Sequence, residues 1–365
     1  MHERPSVPLF AVGVSHHTAP LAVRERLAIP SRDLSTLLPA LRGRLAADEL
    51  AVLSTCNRTE LYLVASEAVG RSVRLAECLA SCGDLRPDAL QPHLYIRADQ
   101  EAAAHLFRVS AGLDSMVLGE SEITAQVKQA YLTAQAHGTV GPVLHRLFQK
   151  ALHSTKLIRS RTAIADGQAS IGSVVATLAK QVFGARLSAC DALLWGAGKA
   201  AEATARHVIK SGIRQLWIVS RTQANAQDLA SLCRSGWLSW EQALKHVAHV
   251  DIAIVCTQAP HYVIDADDFA SIHAQRGTRP LLLVDLSVPR NVDPALSRFA
   301  HVQLHNIDDL QAFAQVVLAQ RREERVHCET LIRQQVEHLY RCRSSVDHRE
   351  GEACSVVEAY GAVSR

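Results

Sequence analysis

The chain has 365 residues, 48% of them hydrophobic and 21% charged, with a formal net charge of +3 at pH 7. This length allows two or three domains with sizeable cores, and the charge is too small to indicate nucleic-acid binding by itself. No apolar stretch approaches the length that spans a bilayer and no secretory signal is recognisable, so we expect a cytoplasmic protein without a membrane-spanning segment. The nine cysteines are scattered without a CxxC pair, which predicts free thiols in a reducing compartment, with neither disulfides nor a metal site.

Apolar runs in the first half of the chain alternate between strand-like and helix-like patterns. Buried strands are predicted at residues 9–14, 49–54 and 61–65. Leucines recur at helical spacing between Leu34 and Leu41, and a helical pattern runs from Ser121 to about Ile164 with a break near Gly138. This mixture predicts an α/β domain in which two neighbouring strands flank a short polar segment at residues 54–60.

A different pattern begins near residue 187, where short apolar strands alternate with helical stretches. The predicted strands are residues 192–195, 216–219, 251–255 and 281–284. Strands separated by helices are typical of a parallel α/β sheet. From Asp308 onward the pattern predicts one long helix to about Cys342, followed by a polar and loosely ordered tail.

A glycine-rich segment follows the first strand of this sheet. It reads Gly196-Ala197-Gly198-Lys199-Ala200-Ala201, which fits G-x-G-x-x-[GA] between a strand and a helix. Gly196 allows a tight turn, Gly198 lets the backbone approach a pyrophosphate, and Ala201 lets the helix pack closely on the strand. The segment therefore predicts a dinucleotide site, with an ordinary strand–turn–helix as the alternative.

The second strand of the same sheet ends in Ser220, Arg221 and Thr222. A carboxylate at this position would favour the ribose hydroxyls of NAD, whereas a guanidinium and two hydroxyls suit the 2′-phosphate of NADP. NADPH is therefore the predicted cofactor. The alternative is that Arg221 is an ordinary solvated surface side chain.

Cys56 lies in the polar segment between the two strands of the first domain. A neighbouring cation such as Arg58 would raise its thiolate fraction, and Thr55 and Asn57 could donate hydrogen bonds to an oxyanion or hold a substrate. A thiol combined with a nicotinamide domain indicates reduction of an activated carboxyl through a thioester to an aldehyde, or the reverse oxidation of an aldehyde. The alternative is an inert buried thiol.

Several motifs together closely resemble the glutamyl-tRNA reductase family over residues 9–342. They are GVSHHTAP at 13–20, VRERL at 23–27, STCNRTE at 54–60, GLDSMVLGE at 112–120, VDLSVPR at 284–290 and NIDDL at 306–310. The resemblance implies an N-terminal α/β catalytic domain at 1–160 that binds glutamyl-tRNA and a Rossmann-type NADPH-binding domain at 161–306. It further implies a long C-terminal spinal helix with a truncated helical dimerisation region at 307–365.

The resemblance also implies a reaction. Cys56 would displace the tRNA of glutamyl-tRNA(Glu) to form a thioester, and NADPH would reduce it to glutamate-1-semialdehyde, the first step of the C5 route to 5-aminolevulinate and tetrapyrroles. Cys56 and His105 would be the catalytic residues, although His105 by itself reads as a helix-surface histidine. The implied substrate-contact positions are Thr55, Asn57, Arg58, Ser115, Glu120, Ser121, Glu122 and Gln126. The family implies a V-shaped homodimer, and an aminomutase as recipient of the aldehyde.

The sequence departs from the family pattern at Ser121-Glu122 and Lys199, and it stops where the dimerisation bundle would continue. We therefore expect a weakened homodimer. Two other hypotheses stay open: a truncated paralog that binds aminoacyl-tRNA or a partner without full turnover, and a reductase of the same mechanism acting on another acyl donor. A basic run between Arg146 and Arg161 could meet tRNA phosphates or form a solvated helix face.

Overall fold

Two β-sheets with separate cores organise the computed structural model, which describes residues 8–66, 73–165, 170–310, 313 and 324–341. Within these ranges, no helix is both long and apolar enough to cross a bilayer. The first sheet and its helices form the N-terminal domain, and the second sheet forms a nucleotide-binding domain of Rossmann type.

The first sheet is antiparallel. Its strands are β1 (Leu9–Ser15), β2 (Glu49–Ser54), β3 (Arg58–Val64) and β4 (Tyr95–Ala98), hydrogen-bonded in the order β2-β3-β1-β4. Every residue of β1 and β3 is buried, so both faces of these strands are covered, and this explains the apolar runs at residues 9–14 and 61–64. The strand predicted at 61–65 begins earlier, at Arg58, because Thr59 already pairs with Ser54 across the hairpin.

Helices cover this sheet on both faces. They are α1 (Leu21–Leu27), α2 (Leu34–Arg44), α3 (Val73–Cys82), α4 (Pro87–Leu90), α5 (Asp99–Ala111), α6 (Glu122–Ala136) and α7 (Pro142–Arg161). The predicted break in the helical pattern after residue 121 is confirmed, because α6 and α7 are separated at Gly138, which has φ +66°. A positive φ favours glycine, which has no Cβ to clash with the backbone.

The second sheet is parallel, as predicted. Its strands are β5 (Asp191–Trp195), β6 (Gln215–Val219), β7 (Gly236–Trp237), β8 (Ile252–Val255), β9 (Leu281–Asp285) and β10 (Val302–Asn306). The flanking helices are α8 (Ile171–Phe183), α9 (Lys199–Lys210), α10 (Gln223–Cys233), α11 (Trp240–His246) and α12 (Ala266–Arg276). The order β7-β6-β5-β8-β9-β10 reverses direction at β5, and in such sheets ligands bind at this reversal, beyond the carboxyl ends of the strands.

The helix α13 (residues 324–341) lies against the N-terminal domain. Cys328, Leu331 and Ile332 are buried in the same core as β1 and β3. The guanidinium Nε of Arg108 donates to both carboxylate oxygens of Glu329, at 3.0 and 2.9 Å. Residues 307–310 are also helical, but most of the stretch between them and α13 lies outside the described residues, so a single unbroken spinal helix stays a prediction.

Two ion pairs connect the domains through neighbouring residues of α1. Arg24 pairs with Asp308, and Glu25 pairs with Arg290, whose Nε and Nη2 donate to the carboxylate at 2.9 and 2.6 Å. The charges are crossed, since the cation of one pair and the anion of the other lie side by side on α1. The arrangement therefore fixes how the nucleotide-binding domain meets the N-terminal domain.

Candidate active site

A small cleft, with a cavity volume of about 60 Å³, is lined by residues of both domains and contains Cys56. The polar lining from the N-terminal domain is Thr55, Cys56, Asn57, Arg58, Ser115, Glu120, Glu122 and Gln126. Ala200 and Cys256 line it from the nucleotide-binding domain. The structure thus brings together eight of the predicted catalytic and substrate-contact residues and one residue of the predicted cofactor loop. Ser121 and His105 lie outside this lining.

The turn between β2 and β3 presents Cys56. The backbone N–H of Thr55 donates to the carbonyl of Arg58 at 2.8 Å, which closes the hairpin. The Thr55 hydroxyl oxygen accepts from the N–H groups of Asn57 and Arg58 at 3.1 and 3.2 Å. A threonine side chain bonded to the backbone two residues on stabilises a turn, so the thiol sits on a rigid tip.

The cation in contact with this turn is Arg24, whereas Arg58, which was predicted to activate the thiol, is paired with two carboxylates. Burial, together with the charges of Glu120 and Glu122, raises the pKa of the Cys56 thiol to about 12, and Arg24 opposes this increase. The Nη1 of Arg24 donates to the carbonyl oxygen of Cys56 at 2.6 Å. At neutral pH the thiol is therefore protonated, and its attack on a carbonyl requires a proton acceptor.

Arg58 is committed to two carboxylates. Its Nη1 donates to Glu60 Oε1 at 2.7 Å and to Asp114 Oδ2 at 3.0 Å, and its Nη2 donates to the carbonyl of Asp114. Burial alone would raise the pKa of the Glu60 carboxyl, but Arg58 and His105 hold it well below its usual range. The paired charges offset the cost of burying them, and they fix the guanidinium in one orientation.

His105 lies behind Arg58 in the same network. It is buried on α5, and its Nε2 is 2.9 Å from Glu60 Oε1, while the Tyr95 hydroxyl also donates to Glu60. The reading of His105 as a surface histidine is therefore wrong. Because it contacts Glu60 and does not line the cleft, we expect it to act by positioning Arg58.

Three buried groups near the thiol have atoms without a hydrogen-bond partner among the described residues. They are Oδ1 of Asn57, Nε of Arg58 and both ring nitrogens of His16. Buried polar atoms are rarely left unpaired in native proteins. An unpaired acceptor and an unpaired donor on adjacent residues of the cleft indicate a ligand that carries both kinds of group.

The segment that leads into α6 supplies the opposite wall. Ser115, Glu120, Glu122 and Gln126 line the cleft as predicted, whereas the side chain of Ser121 is exposed. Burial raises the pKa of Glu120 to about 7, opposed by a hydrogen bond from the Ser115 hydroxyl and reinforced by Glu122. A carboxyl group with this pKa can gain and lose a proton near neutral pH.

The predicted glycine loop lies between β5 and α9. Gly196 has φ +124°, and a Cβ there would lie 2.1 Å from the carbonyl oxygen of Cys256, so only glycine fits. Nothing lies within 4 Å of the Cβ position of Gly198, which leaves its backbone open to a phosphate. Ala201 is fully buried against the sheet. The structural context that the motif requires is therefore present.

Lys199 and Ala200 begin α9 beside this loop, after the half-buried Ala197. Ala200 lines the cleft. The exposed Lys199 lowers the pKa of Glu122, which burial raises. The two departures from the family pattern noted in the sequence, Glu122 and Lys199, thus have opposite charges and interact across the domain boundary.

Ser220, Arg221 and Thr222 follow β6 at the same edge of the sheet. Arg221 and Thr222 are exposed and Ser220 is half-buried. A guanidinium at this position can form two parallel hydrogen bonds with a phosphate. The three residues are thus placed where the adenosine ribose lies in doubly wound nucleotide-binding folds.

The VDLSVPR motif stabilises the end of β9 beside the cleft. The carboxylate of Asp285 accepts from the backbone N–H groups of Ser287, Asn291 and Val292 at 3.0, 2.8 and 2.9 Å. Burial raises the pKa of Asp285 to about 6, opposed by these hydrogen bonds. The carboxylate of Asp285 therefore holds the loop after β9 in place through backbone hydrogen bonds.

Sequence reasoning missed four residues of the site: Arg24, Glu60, Asp114 and Cys256. The first three lie within motifs that mark the family but received no individual role. A charged residue inside a buried strand, such as Glu60 in β3, was the available signal. Ionised side chains are buried only when paired, so such a residue indicates a partner of opposite charge. Cys256 gave no signal, because its place opposite Cys56 depends on how the two domains meet.

Comparison with known proteins agrees with the two-domain architecture. Residues 12–162 match the glutamyl-tRNAGlu reductase N-terminal domain, and residues 177–313 match the shikimate/quinate 5-dehydrogenase family, which indicates a pyridine nucleotide as cofactor. The glutamyl-tRNA reductase of Desulforudis audaxviator is 40% identical over 324 residues, which is 89% of this chain and 72% of the relative.

The likeness extends to a second relative and to a solved structure. The glutamyl-tRNA reductase of Solidesulfovibrio magneticus is 38% identical over 343 residues, 93% of this chain and 74% of the relative. The structure of glutamyl-tRNA reductase from Methanopyrus kandleri matches with a TM-score of 0.51 and 29% identity, over 94% of this chain and 82% of that chain. The chain therefore belongs to the glutamyl-tRNA reductase family.

Proposed function

We propose that the protein catalyses the NADPH-dependent reduction of glutamyl-tRNA(Glu) to glutamate-1-semialdehyde, the first step of the C5 route to 5-aminolevulinate and tetrapyrroles. One observation carries the proposal: a single cleft joins Cys56 of the N-terminal domain to Ala200 and Cys256 of the nucleotide-binding domain. A thioester can be formed and then reduced only where a thiol and a nicotinamide reach the same carbonyl carbon.

The unpaired atoms of the cleft match a glutamyl group. The Oδ1 of Asn57 is an acceptor suited to the α-ammonium group, and the Nε of Arg58 is a donor suited to the side-chain carboxylate. Both atoms lack partners among the described residues, so binding the substrate would satisfy them. Ser115 and Gln126 supply further polar groups on the facing wall. These assignments account for the choice of an amino acid that carries both charges.

The chemistry proceeds at Cys56. Its sulfur bonds to the ester carbonyl carbon, the ribose oxygen of the tRNA leaves, and a glutamyl thioester remains on the protein. NADPH, when bound, supplies hydride to that carbon. Cleavage of the carbon–sulfur bond then frees the aldehyde and leaves the thiolate, which takes up a proton to regain the thiol. Apolar residues of the cleft, among them Met116 and Ile307, exclude water that would hydrolyse the thioester.

The cofactor assignment rests on groups at the carboxyl edge of the second sheet. The open backbone at Gly198 suits the pyrophosphate, and the side chains of Ser220, Arg221 and Thr222 suit a 2′-phosphate. Arg221 makes no hydrogen bond or ion pair with a described residue, so its guanidinium is available to a ligand.

Arg221→Ala should weaken NADPH binding about 10- to 100-fold, because hydrogen bonds to a charged phosphate contribute roughly 1.5–3 kcal/mol. Binding of NADH should change little. Titration of both cofactors against the wild type and the variant measures the difference. Lys210→Ala, at the far end of α9, removes a positive charge away from the site and is the control. Equal losses for both cofactors would contradict the 2′-phosphate assignment.

The decisive experiment supplies glutamyl-tRNA and NADPH and follows glutamate-1-semialdehyde, with mass spectrometry of the protein. We expect product and, without NADPH, a glutamyl adduct on Cys56; Cys56→Ser should yield neither. An adduct without any aldehyde would favour the paralog that does not turn over. Turnover of a different acyl donor in preference to glutamyl-tRNA would favour a reductase of the same mechanism with another substrate.

Partners follow from the same proposal. Exposed basic residues on α7, such as Arg146, Lys156 and Arg161, would meet tRNA phosphates, whereas Arg159 is occupied by the backbone of Gly119 and Glu120. We propose a homodimer and an aminomutase as recipient of the aldehyde. Sedimentation at micromolar and nanomolar concentrations tests the dimer, and a monomer at micromolar concentration would contradict the proposal.

A further inference from the structure

The thiol of Cys56 needs a proton acceptor, and few groups of the cleft can act as one. Among the described lining residues, the ionisable side chains besides the thiols are Arg58, Glu120 and Glu122. Arg58 is excluded, because a guanidinium paired with two carboxylates does not release its proton. His105 is excluded, because it is bonded to Glu60 and lies outside the lining. His16, whose backbone N–H donates to the carbonyl of Asn57, also lies outside the lining. Only the two carboxylates remain.

The backbone that carries Glu120 is held in place from both sides. A Cβ at Gly112 would lie 3.0 Å from both the backbone N and O of Glu120, so the two segments touch. The N–H of Gly119 donates to the carbonyl of Gly112 at 2.9 Å, and Nη2 of Arg159 donates to the carbonyl of Glu120 at 2.7 Å. A carboxylate on a fixed backbone in the same cleft as the reacting thiol is preorganised for proton transfer.

Of the two carboxylates, Glu120 acts more strongly on the thiol. The charge of Glu120 raises the pKa of Cys56 more than the charge of Glu122 does. Glu122 instead faces Lys199 across the domain boundary. Glu120, whose charge acts more strongly on the thiol, is thus the carboxylate that Lys199 does not offset.

We infer that Glu120 is the catalytic base and acid of the acyl transfer. Its carboxylate takes the proton of the Cys56 thiol as sulfur bonds to the ester carbonyl carbon, and returns that proton to the ribose oxygen as the carbon–oxygen bond breaks. The carbon–sulfur bond forms and the carbon–oxygen bond of the ester breaks. The proton moves from sulfur to the ribose oxygen, and no further reactant is needed. The inference rests on the proposed function, since it assigns the proton in its first step.

The charges around Glu120 suit this role. Burial raises the pKa of its carboxyl to about 7, the Ser115 hydroxyl lowers it, Glu122 raises it, and Arg58 and Arg159 lower it. Both protonation states are therefore populated near neutral pH, which is the condition under which one group can accept and then donate a proton.

The test compares Glu120→Gln with the wild type in two reactions of the same sulfur. The first is alkylation of Cys56 by iodoacetamide, which reports the thiolate fraction. The second is formation of the glutamyl adduct from glutamyl-tRNA without NADPH, followed by quenched mass spectrometry. Removing the negative charge lowers the pKa of Cys56, so alkylation should be equal or faster. Acylation should fall by at least about 100-fold and lose its inflection near pH 7.

Two further variants sharpen the comparison. Glu120→Asp keeps a carboxylate and should retain a pH inflection at a reduced rate. Glu122→Gln removes the same charge from the neighbouring position and should leave the inflection in place. Wild-type acylation rates in Glu120→Gln, or an equal decrease in both reactions, would overturn the assignment. A wild-type protein that never forms the adduct would overturn the proposed function as well.

Discussion

At the scale of single residues, Glu120 makes stability depend on pH in a direction opposite to that of most carboxylates. Its pKa is about 7 in the folded protein against 4.5 ordinarily, because burial disfavours the charged form. Between these values the folded state binds more protons than the unfolded state, so the free energy of unfolding falls as pH rises. The full effect is up to about 3 kcal/mol, lost between roughly pH 4.5 and 7.

Glu120→Gln should therefore stabilise the protein at pH 8 while leaving its stability near pH 4 almost unchanged. Urea unfolding of both proteins across this pH range measures the difference. If the two stability curves stay parallel, the folded carboxyl is not the group that titrates near 7. The same substitution slows acylation in our inference, so stability and catalysis would change in opposite directions at one residue.

The residue scale is also where sequence reasoning met its limit. Thr55, Cys56 and Asn57 could be predicted, because a turn between two strands is a local property of the sequence. The effect of Arg58 could not, because its partner Asp114 is 56 positions away in the chain and only the tertiary fold brings them together. Proximity in sequence suggested an activating cation, whereas Arg24, 32 positions away, lies beside the thiol.

Among the helices and strands, α1 carries two ion pairs that reach from the N-terminal domain to residues of the second half of the chain. Arg24 of this short helix pairs with Asp308, and Glu25 pairs with Arg290. Arg24 also donates to the carbonyl oxygen of Cys56. The strands, the glycine loop and the helix after it could be predicted from periodicity and glycine placement. The contacts of α1 with the second half of the chain could not be predicted, because a seven-residue helix is too short for its sequence to show which face meets another domain.

Arg290→Glu should slow formation of the aldehyde about 10-fold and leave acylation of Cys56 in the absence of NADPH unchanged. The reason is that two carboxylates would then face each other at the domain contact, while the thiol and its pocket stay intact. The double variant Glu25→Arg with Arg290→Glu reverses both charges and should recover most of the rate. Single-turnover measurements of the two steps provide the comparison, and a double variant as slow as the single one would contradict the pairing.

At the scale of the whole molecule, α13 belongs to the core of the N-terminal domain although it follows the nucleotide-binding domain in the chain. Ile332→Ala should lower the stability of the N-terminal domain by about 2–5 kcal/mol, because it leaves a cavity in that core. Val326→Ala is the matched control, since Val326 is 68% exposed on the same helix.

Tryptophan fluorescence reports unfolding of the nucleotide-binding domain separately from that of the N-terminal domain. The four tryptophans of the protein, Trp195, Trp217, Trp237 and Trp240, all lie in the nucleotide-binding domain. In Ile332→Ala, urea unfolding followed by circular dichroism should move to lower concentration, while the tryptophan fluorescence transition moves less. Coincident shifts of both signals would mean that the domains unfold as one unit.

This placement of α13 has a consequence for how the chain is made. The N-terminal segment leaves the ribosome first, yet a part of its interior is supplied by residues that are translated after the entire second sheet. The nucleotide-binding sheet is continuous in sequence and can be completed earlier. The nascent polypeptide must therefore keep an apolar surface uncovered until residues 324–341 have been translated, and during that interval the surface is open to chaperones.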